Sequence, residues 1–262
     1  MKVGFPNNPR KEIRDEIKWI ADNGFNFIDL FLEPDKGELG KFNTREIKKQ
    51  LDYYSLDWVG QTAWYLPIGS PVKKLRICAV EIIKEYLEAF VDMGSDKVTI
   101  HSNWPTSLFT EDEGVKFQTE SIQNILNFAS EAGVKIMLEP LGTVHDHASN
   151  IDRLLELNEG LYFHADIGHL NIYGRDPVEY LRRYKDKLLH VHLHDNNGID
   201  DLHLPIGSGN IDWNCLINVL KSFYDGTITL EIFTDDREYV LYSKKKLLEK
   251  WNNNNFNLKS IT

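Results

Sequence analysis

Residues 97–139 read KVTIHSNWPTSLFTEDEGVKFQTESIQNILNFASEAGVKIMLE. Lys97–His101 is a short β-branched run, Glu113–Ala132 a long amphipathic one closed by Gly133, and Lys135–Glu139 a second short apolar run. A glycine just past a helical stretch supplies the left-handed conformation that ends a helix. Strand, helix, glycine, strand is the signature of parallel strands joined by a crossover helix. Strands that read as almost continuous apolar runs suit a sheet covered on both faces.

The same order repeats in both directions. Upstream lie strand candidates Lys2–Phe5, Asn26–Leu32 (NFIDLFL) and Trp58–Trp64; downstream lie Leu161–Asp166 (LYFHAD), Leu188–His194 (LLHVHLH) and Thr227–Phe233 (TITLEIF). Arg10–Asn23 carries Ile13, Ile17 and Ile20 at helical spacing and stops at Asn23-Gly24, and Leu75–Met93 closes at Gly94. About eight βα units in 262 residues is the size of a closed (β/α)8 TIM barrel, an α/β fold. An open doubly wound sheet would advertise a glycine-rich phosphate turn after its first strand. Here that strand runs into Gly4-Phe5-Pro6-Asn7-Asn8-Pro9. No linker interrupts the pattern, so residues 1–262 are expected to form one domain, with 251–262, which include Asn252–Asn255, as a frayed tail.

Composition narrows the function classes. Hydrophobic residues make up 42% and charged residues 27%, an ordinary globular balance. Lys and Arg total 30 against 40 Asp and Glu, a formal charge of −10, which counts against a surface that tracks a nucleic-acid backbone. No run approaches the roughly 18 apolar residues of a membrane span. The start, MKVGFP, lacks the apolar stretch of a signal peptide. Cys78 and Cys215 lie far apart, which disfavours a disulfide scaffold or thiolate zinc site. A soluble cytoplasmic chain is the expectation; its oligomeric state is unreadable, with a homo-oligomer left open.

In such a barrel chemistry gathers at the C-terminal ends of the strands. Those ends carry Gln61, His101, Glu139, Asp166 with His169 just beyond, His192 with His194, and Glu231. Taken singly, each has an ordinary reading as a salt-bridged, solvated or core residue. Jointly, buried carboxylates and imidazoles at one barrel mouth call for a common partner, a divalent cation. Glu139, Asp166, His192 and Glu231 offer mixed oxygen and nitrogen ligation suited to Mn²⁺, Mg²⁺, Co²⁺ or Zn²⁺. His190, His192 and His194 alternate and so share one face; His194 is expected as a supporting or substrate contact and the deeper His190 as structural. In the following loop Asp201 and His203 have a spacing that could chelate a second metal or grip a hydroxyl. Gly207 and Gly209 could present backbone N–H groups to an anion such as phosphate, and Asn210 or Asp212 could cap the next helix. Trp64, Tyr65 and Trp104 are candidates for an apolar pocket wall.

These motifs together resemble the xylose isomerase-like TIM barrels, the superfamily of sugar phosphate isomerases and epimerases and of endonuclease IV-like enzymes. The resemblance rests on LEP at Leu138–Pro140, DIGH at Asp166–His169, HVHLHD at His190–Asp195, DLHLPIGSGNIDW at Asp201–Trp213 and TLE at Thr229–Glu231. It implies that Glu139, Asp166, His192 and Glu231 are the shared metal ligands, and that His169, Asp201 and His203 belong to the site. In the endonuclease branch, His101 would fit one further zinc-ligand position, but the other is held by Gln61, an amide and a poor zinc ligand.

The chemistry implied is a metal-dependent isomerisation or epimerisation of a sugar or sugar phosphate, with proton transfer through an enediolate by Glu139 and Glu231. Zinc phosphodiester hydrolysis at abasic DNA is the alternative enzyme reading. It is weakened by Gln61, by net acidity and by mouth loops with little positive charge. A barrel that binds a sugar without chemistry is the third class.

Overall fold

The structure is a computed structural model, and it describes residues 1–253. Eight parallel strands close into a barrel in simple sequential order. They are β1 Lys2–Pro6, β2 Phe27–Leu32, β3 Asp57–Thr62, β4 Lys97–His101, β5 Lys135–Glu139, β6 Leu161–Asp166, β7 Leu188–Leu193 and β8 Thr227–Leu230. Eight helices cover the outside: α1 Ile13–Asp22, α2 Thr44–Tyr54, α3 Lys73–Met93, α4 Glu111–Ala132, α5 Ala148–Leu157, α6 Pro177–Arg183, α7 Trp213–Leu220 and α8 Glu238–Asn252. The α/β barrel read from the alternation is the architecture found.

Element ends follow local chemistry. Thr110 and Glu113 form a reciprocal capping box, so α4 begins at Glu111, two residues before the start expected from periodicity. Gly94 and Gly133 close α3 and α4 with φ of 88° and 73°. α1 begins at Ile13 rather than Arg10, because Asn8 Oδ1 accepts the Arg10 N–H and holds Asn8–Arg10 in a turn. β3 ends at Thr62 rather than Trp64, and β8 ends at Leu230, so Glu231 stands just past its strand. The Glu231 N–H still donates to Leu193 O, extending the ladder by one bond. The expected tail is shorter than 251–262 at its start: Trp251 lies in the last turn of α8, and Lys221 Nζ donates to its carbonyl. Residues 254–262 lie outside the described residues.

Two apolar regions have different jobs. The large one lies between barrel and helices, where Ile13, Ile17 and Ile20 of α1 press on the sheet with Leu30 and Leu32 of β2. Each such side chain stabilises the fold by roughly 1.5–3 kcal/mol. The small one plugs the barrel interior with Phe27, Val59 and Met137. A Cβ on Gly4 would stand 2.4 Å from the Phe27 ring, so the plug requires glycine there. Above the plug the inward positions become polar: Asp29, Thr99, His164, His190 and Thr229, all fully buried. Strand register then sets His101 beside Glu139 and Asp166 beside His192, which levels these side chains at the mouth.

Candidate active site and metal centre

Glu139, Asp166, His192 and Glu231 each present a ligand atom, and the four atoms lie within 4.8 Å of one another. His192 Nδ1 stands 3.2 Å from Glu231 Oε2, 3.7 Å from Asp166 Oδ2 and 3.9 Å from Glu139 Oε1. All four residues are buried. Glu139 Oε2, Asp166 Oδ2, His192 Nδ1 and Glu231 Oε2 are each buried without a hydrogen-bond partner. Unsatisfied buried polar atoms are rare and costly; those of Asp166, His192 and Glu231 face one another, and with Glu139 Oε1 beside them they fit a divalent cation. The donor set of three carboxylates and one imidazole suits Mn²⁺, Mg²⁺, Co²⁺ or Zn²⁺ without choosing among them.

The imidazole is held from behind. His192 Nε2 lies 2.7 Å from Asp29 Oδ2, which also receives Thr229 Oγ1 at 2.8 Å and His190 Nε2 at 3.0 Å. With Nε2 donating to Asp29, Nδ1 is the nitrogen turned toward the carboxylates. Below, Lys97 Nζ donates to Thr227 Oγ1, which lies 2.8 Å from His190 Nδ1. A polar chain thus runs from β4 through the interior to the mouth. His164 adds a contact from β6, with Nδ1 3.0 Å from Thr99 Oγ1 and 3.2 Å from Glu139 Oε2.

Charges divide along this geometry. Burial pushes His190 down to about 4, against its hydrogen bond to Asp29, so it is neutral. Burial and the neighbouring His192 hold His164 well below its ordinary value. Burial also opposes a charge on His192, but Glu231, Glu139 and Asp29 hold it well above the usual range. Burial raises the Asp29 carboxyl, but bonds from His190 and His192 outweigh it and keep it ionised. Glu139 and Asp166 are likewise buried yet held well down by surrounding imidazoles.

A second cluster of ligand-type groups stands beside the first: His169, His194, Asp201 and His203. Here His169, Asp201 and His203 are joined by hydrogen bonds, whereas both His194 nitrogens are buried without a partner. His169 donates from Nδ1 to Pro140 O (3.0 Å) and from Nε2 to Asp201 Oδ2 (3.2 Å). His203 donates from Nδ1 to Glu231 O (3.0 Å) and from Nε2 to Asp201 Oδ2 (3.1 Å). Both nitrogens of each ring are donors, the bonding of a charged imidazole. Burial disfavours charge on His203, yet Glu231 and Asp201 push it up to about 9. His203 also sits in the left-handed region at φ 46°, stacked between His194 at 3.9 Å and Phe233 at 4.2 Å. His194 Nε2 is 2.9 Å from Asp166 Oδ1 without hydrogen-bond alignment.

Above both clusters opens a cavity of ≈ 910 Å³, within the range of small-molecule sites. Glu139, Glu231, His101, His169, Asp201, His203, Gln61 and Trp64 face it, whereas Asp166, His192 and His194 lie beneath its floor. His101 Nε2 is 3.2 Å from Glu139 Oε2, and Gln61 is buried with Oε1 unpartnered. Of the three expected wall aromatics only Trp64 lines the cavity; Trp104 is turned to donate its Nε1–H to Asp146, and Tyr65 lies outside. Phe5, Phe31 and Phe233 take that place. The expected phosphate loop is also differently used. Gly207 N donates to Asp195 Oδ2 at 2.8 Å, so the chain's own carboxylate occupies that donor; Asp212, not Asn210, caps α7.

Sequence reasoning missed Asp29, His164 and Glu33. Asp29 was signalled by a charge at an inward position of NFIDLFL, and His164 by FHAD. Glu33 was signalled by a second LEP, Leu32-Glu33-Pro34, matching Leu138-Glu139-Pro140.

Comparison with known proteins places the chain in a family. An uncharacterized protein of Methanocaldococcus jannaschii is 28% identical over 236 residues, covering 84% of this chain and 79% of the relative. The 3-dehydro-D-guloside 4-epimerase of Escherichia coli is 25% identical, covering 88% and 92% respectively. A solved D-tagatose 3-epimerase-like protein superposes with a TM-score of 0.87 at 26% identity, covering 96% of this chain and 98% of that one. The family profile described as xylose isomerase-like TIM barrel matches residues 17–251, and the chain belongs to that family.

Proposed function

We propose that the protein is a divalent-metal-dependent isomerase or epimerase of a sugar or sugar phosphate, working by proton transfer beside a carbonyl through an enediolate. One observation carries this reading. The four ligand residues cluster under a sugar-sized cavity, and the two of them that also line it are glutamates, Glu139 and Glu231. Two relatives at 25–26% identity are named as a sugar epimerase and an epimerase-like protein, which supports the same class.

The ion would be held by Glu139, Asp166, His192 and Glu231, and when bound it supplies a Lewis acid for the carbonyl oxygen. The rest belongs to the chain. Glu139 from β5 and Glu231 from beyond β8 approach the cavity from different sides. One removes the proton next to the carbonyl, and the other returns a proton from its own side, inverting the carbon. His169 and His203, charged and fixed by Asp201, spend their N–H groups on the protein and place positive charge beside the reacting oxygens. Phe5, Phe31 and Phe233 cover the apolar face of the ring or chain and keep water from the exchanging proton. A single ion fits better than several. The His169–Asp201–His203 group already satisfies its own donors, and Gln61 offers an amide where a further zinc site would want an imidazole. Among the described residues the cavity lining has two Lys or Arg side chains, Lys11 and Arg237, and Arg237 is bonded to Glu16 by two 2.6 Å contacts, while the charged His169 and His203 are tied to Asp201, which leaves little to hold a DNA backbone.

The experiment is incubation of the metal-loaded protein with a panel of ketoses and ketose phosphates in deuterated water. Loss of the proton signal next to the carbonyl of one of them is the expected outcome. Bound metal with no exchange across the panel would contradict the reading and favour a binding protein.

A further inference from the structure

We propose that Glu33 is a specificity-determining residue of this site: its carboxylate accepts hydrogen bonds from hydroxyls of an uncharged polyol chain, on carbons away from the reacting centre, and turns phosphorylated sugars away. The inference rests on the isomerase reading and narrows its substrate class to unphosphorylated sugars.

Glu33 follows the last residue of β2, on the strand that carries Asp29 and Phe31 inward. It is only 9% exposed, and the surface it keeps belongs to the cavity. Apart from the exposed Asp235, every other acidic side chain of the lining has work. Glu139 and Glu231 converge on the ion position, Asp201 receives two imidazoles, and Glu16 takes Arg237 and the Asn8 N–H. The Glu33 carboxylate takes part in no hydrogen bond or ion pair with any described residue, and it caps no helix. Its oxygens open to the cavity and no protein donor reaches them, so the donors that satisfy them there are water or the hydroxyls of a ligand that displaces it. Sugar hydroxyls are such donors, and a carboxylate can accept two from neighbouring carbons at once.

The sign of the charge selects the sugar. The lining holds the charged imidazoles of His169 and His203, both tied to Asp201, and the side chains of Lys11 and Arg237; Lys11 is exposed, and Arg237 is committed to Glu16 and stacked at 4.4 Å on Trp19. No described residue forms an ion pair with Glu33. A phosphate brought into this cavity would meet an unpaired carboxylate and no free guanidinium, whereas neutral hydroxyls would complete its hydrogen bonding. Asp195 already fills the backbone donor at Gly207, which removes the other place where a phosphate could be received.

The test compares wild type and Glu33→Gln, each with its metal content measured, on unphosphorylated ketohexoses and the corresponding 6-phosphates. Gln has the same shape and cannot unfold the site by leaving a cavity. The expected result is a KM for the free sugar raised about tenfold or more, as for loss of a charged hydrogen bond, with kcat held to within about threefold. Preference over the 6-phosphate narrows in the same variant. An unchanged KM, a fall in kcat at constant KM, or a wild type that prefers the 6-phosphates would overturn the assignment. If wild type turns over none of the panel, the isomerase reading fails by itself, and calorimetric binding of free ketohexoses decides Glu33. Binding about tenfold weaker in Glu33→Gln supports it; equal or absent binding overturns it.

Discussion

At Asp29 one carboxylate oxygen gathers His190, His192 and Thr229, and the whole metal centre leans on it. Removing it as Asp29→Ala frees the His192 ring to turn and leaves two imidazoles short of an acceptor. Metal affinity is then expected to fall about 10–100-fold, checked by chelator competition, with Asp29→Asn affected less because its amide oxygen still accepts. Glu139→Gln and Glu231→Gln address the reaction itself. Each is expected to lower turnover by about 10²–10⁴-fold, read as substrate deuteration, and near-wild-type exchange by either would contradict its role. The sequence marked these two glutamates because they interrupt apolar runs at the downstream ends of strands, LEP and TLEIF. Asp29 interrupts its run just as clearly, but from mid-strand, where a charge makes no sense until the histidines of β7 are placed opposite it. Which residue faces which across a barrel is a property of closure, not of spacing.

The segment after β7 shows how an element is fixed by one side chain. Asp195 is fully buried and accepts from the backbone of Asn196 and Gly207 and from Trp213 Nε1, at 3.0, 2.8 and 2.7 Å. Its backbone pairs with Leu204 in both directions. That loop carries Asp201 and His203 into the site, so Asp195→Ala is expected to cost about 3 kcal/mol in urea unfolding and to disorder the approach to the cavity. By contrast Thr110→Ala, which opens the capping box of α4, is expected to cost only about 1 kcal/mol and to leave metal binding unchanged. α3 and α4 could be read from sequence because each runs more than five turns into a glycine. α1, at ten residues, was legible through Ile13, Ile17 and Ile20 and the Asn23-Gly24 stop; α2, α5 and α6, of seven to eleven residues, lack such a glycine stop and stand out less from a loop. Caps at Asn43, Asp176 and Asp212 were the available signs.

Across the molecule the barrel interior passes from an apolar plug, through a hydrogen-bonded polar layer, to an acid- and histidine-rich mouth. This order couples ion, proton and stability. Free of the ion, His192 holds a proton well above its ordinary range because it faces Glu231 and Glu139. That proton must leave for Nδ1 to bind a cation, so affinity rises with pH by about tenfold per unit for each proton released, measurable by calorimetry in buffers of different ionisation enthalpy. The same ion, present at about a thousand times its Kd, should add about 4 kcal/mol to unfolding stability. His203 works the other way in the ion-free chain. Its value of about 9 contributes stability that is complete below the ordinary histidine range and lost as pH rises toward 9. Anomalous diffraction from crystals of the metal-loaded protein bears on all of this at once. We expect one strong peak bounded by Glu139, Asp166, His192 and Glu231; a map with no peak there, or with the metal bound at another set of side chains, would refute the account.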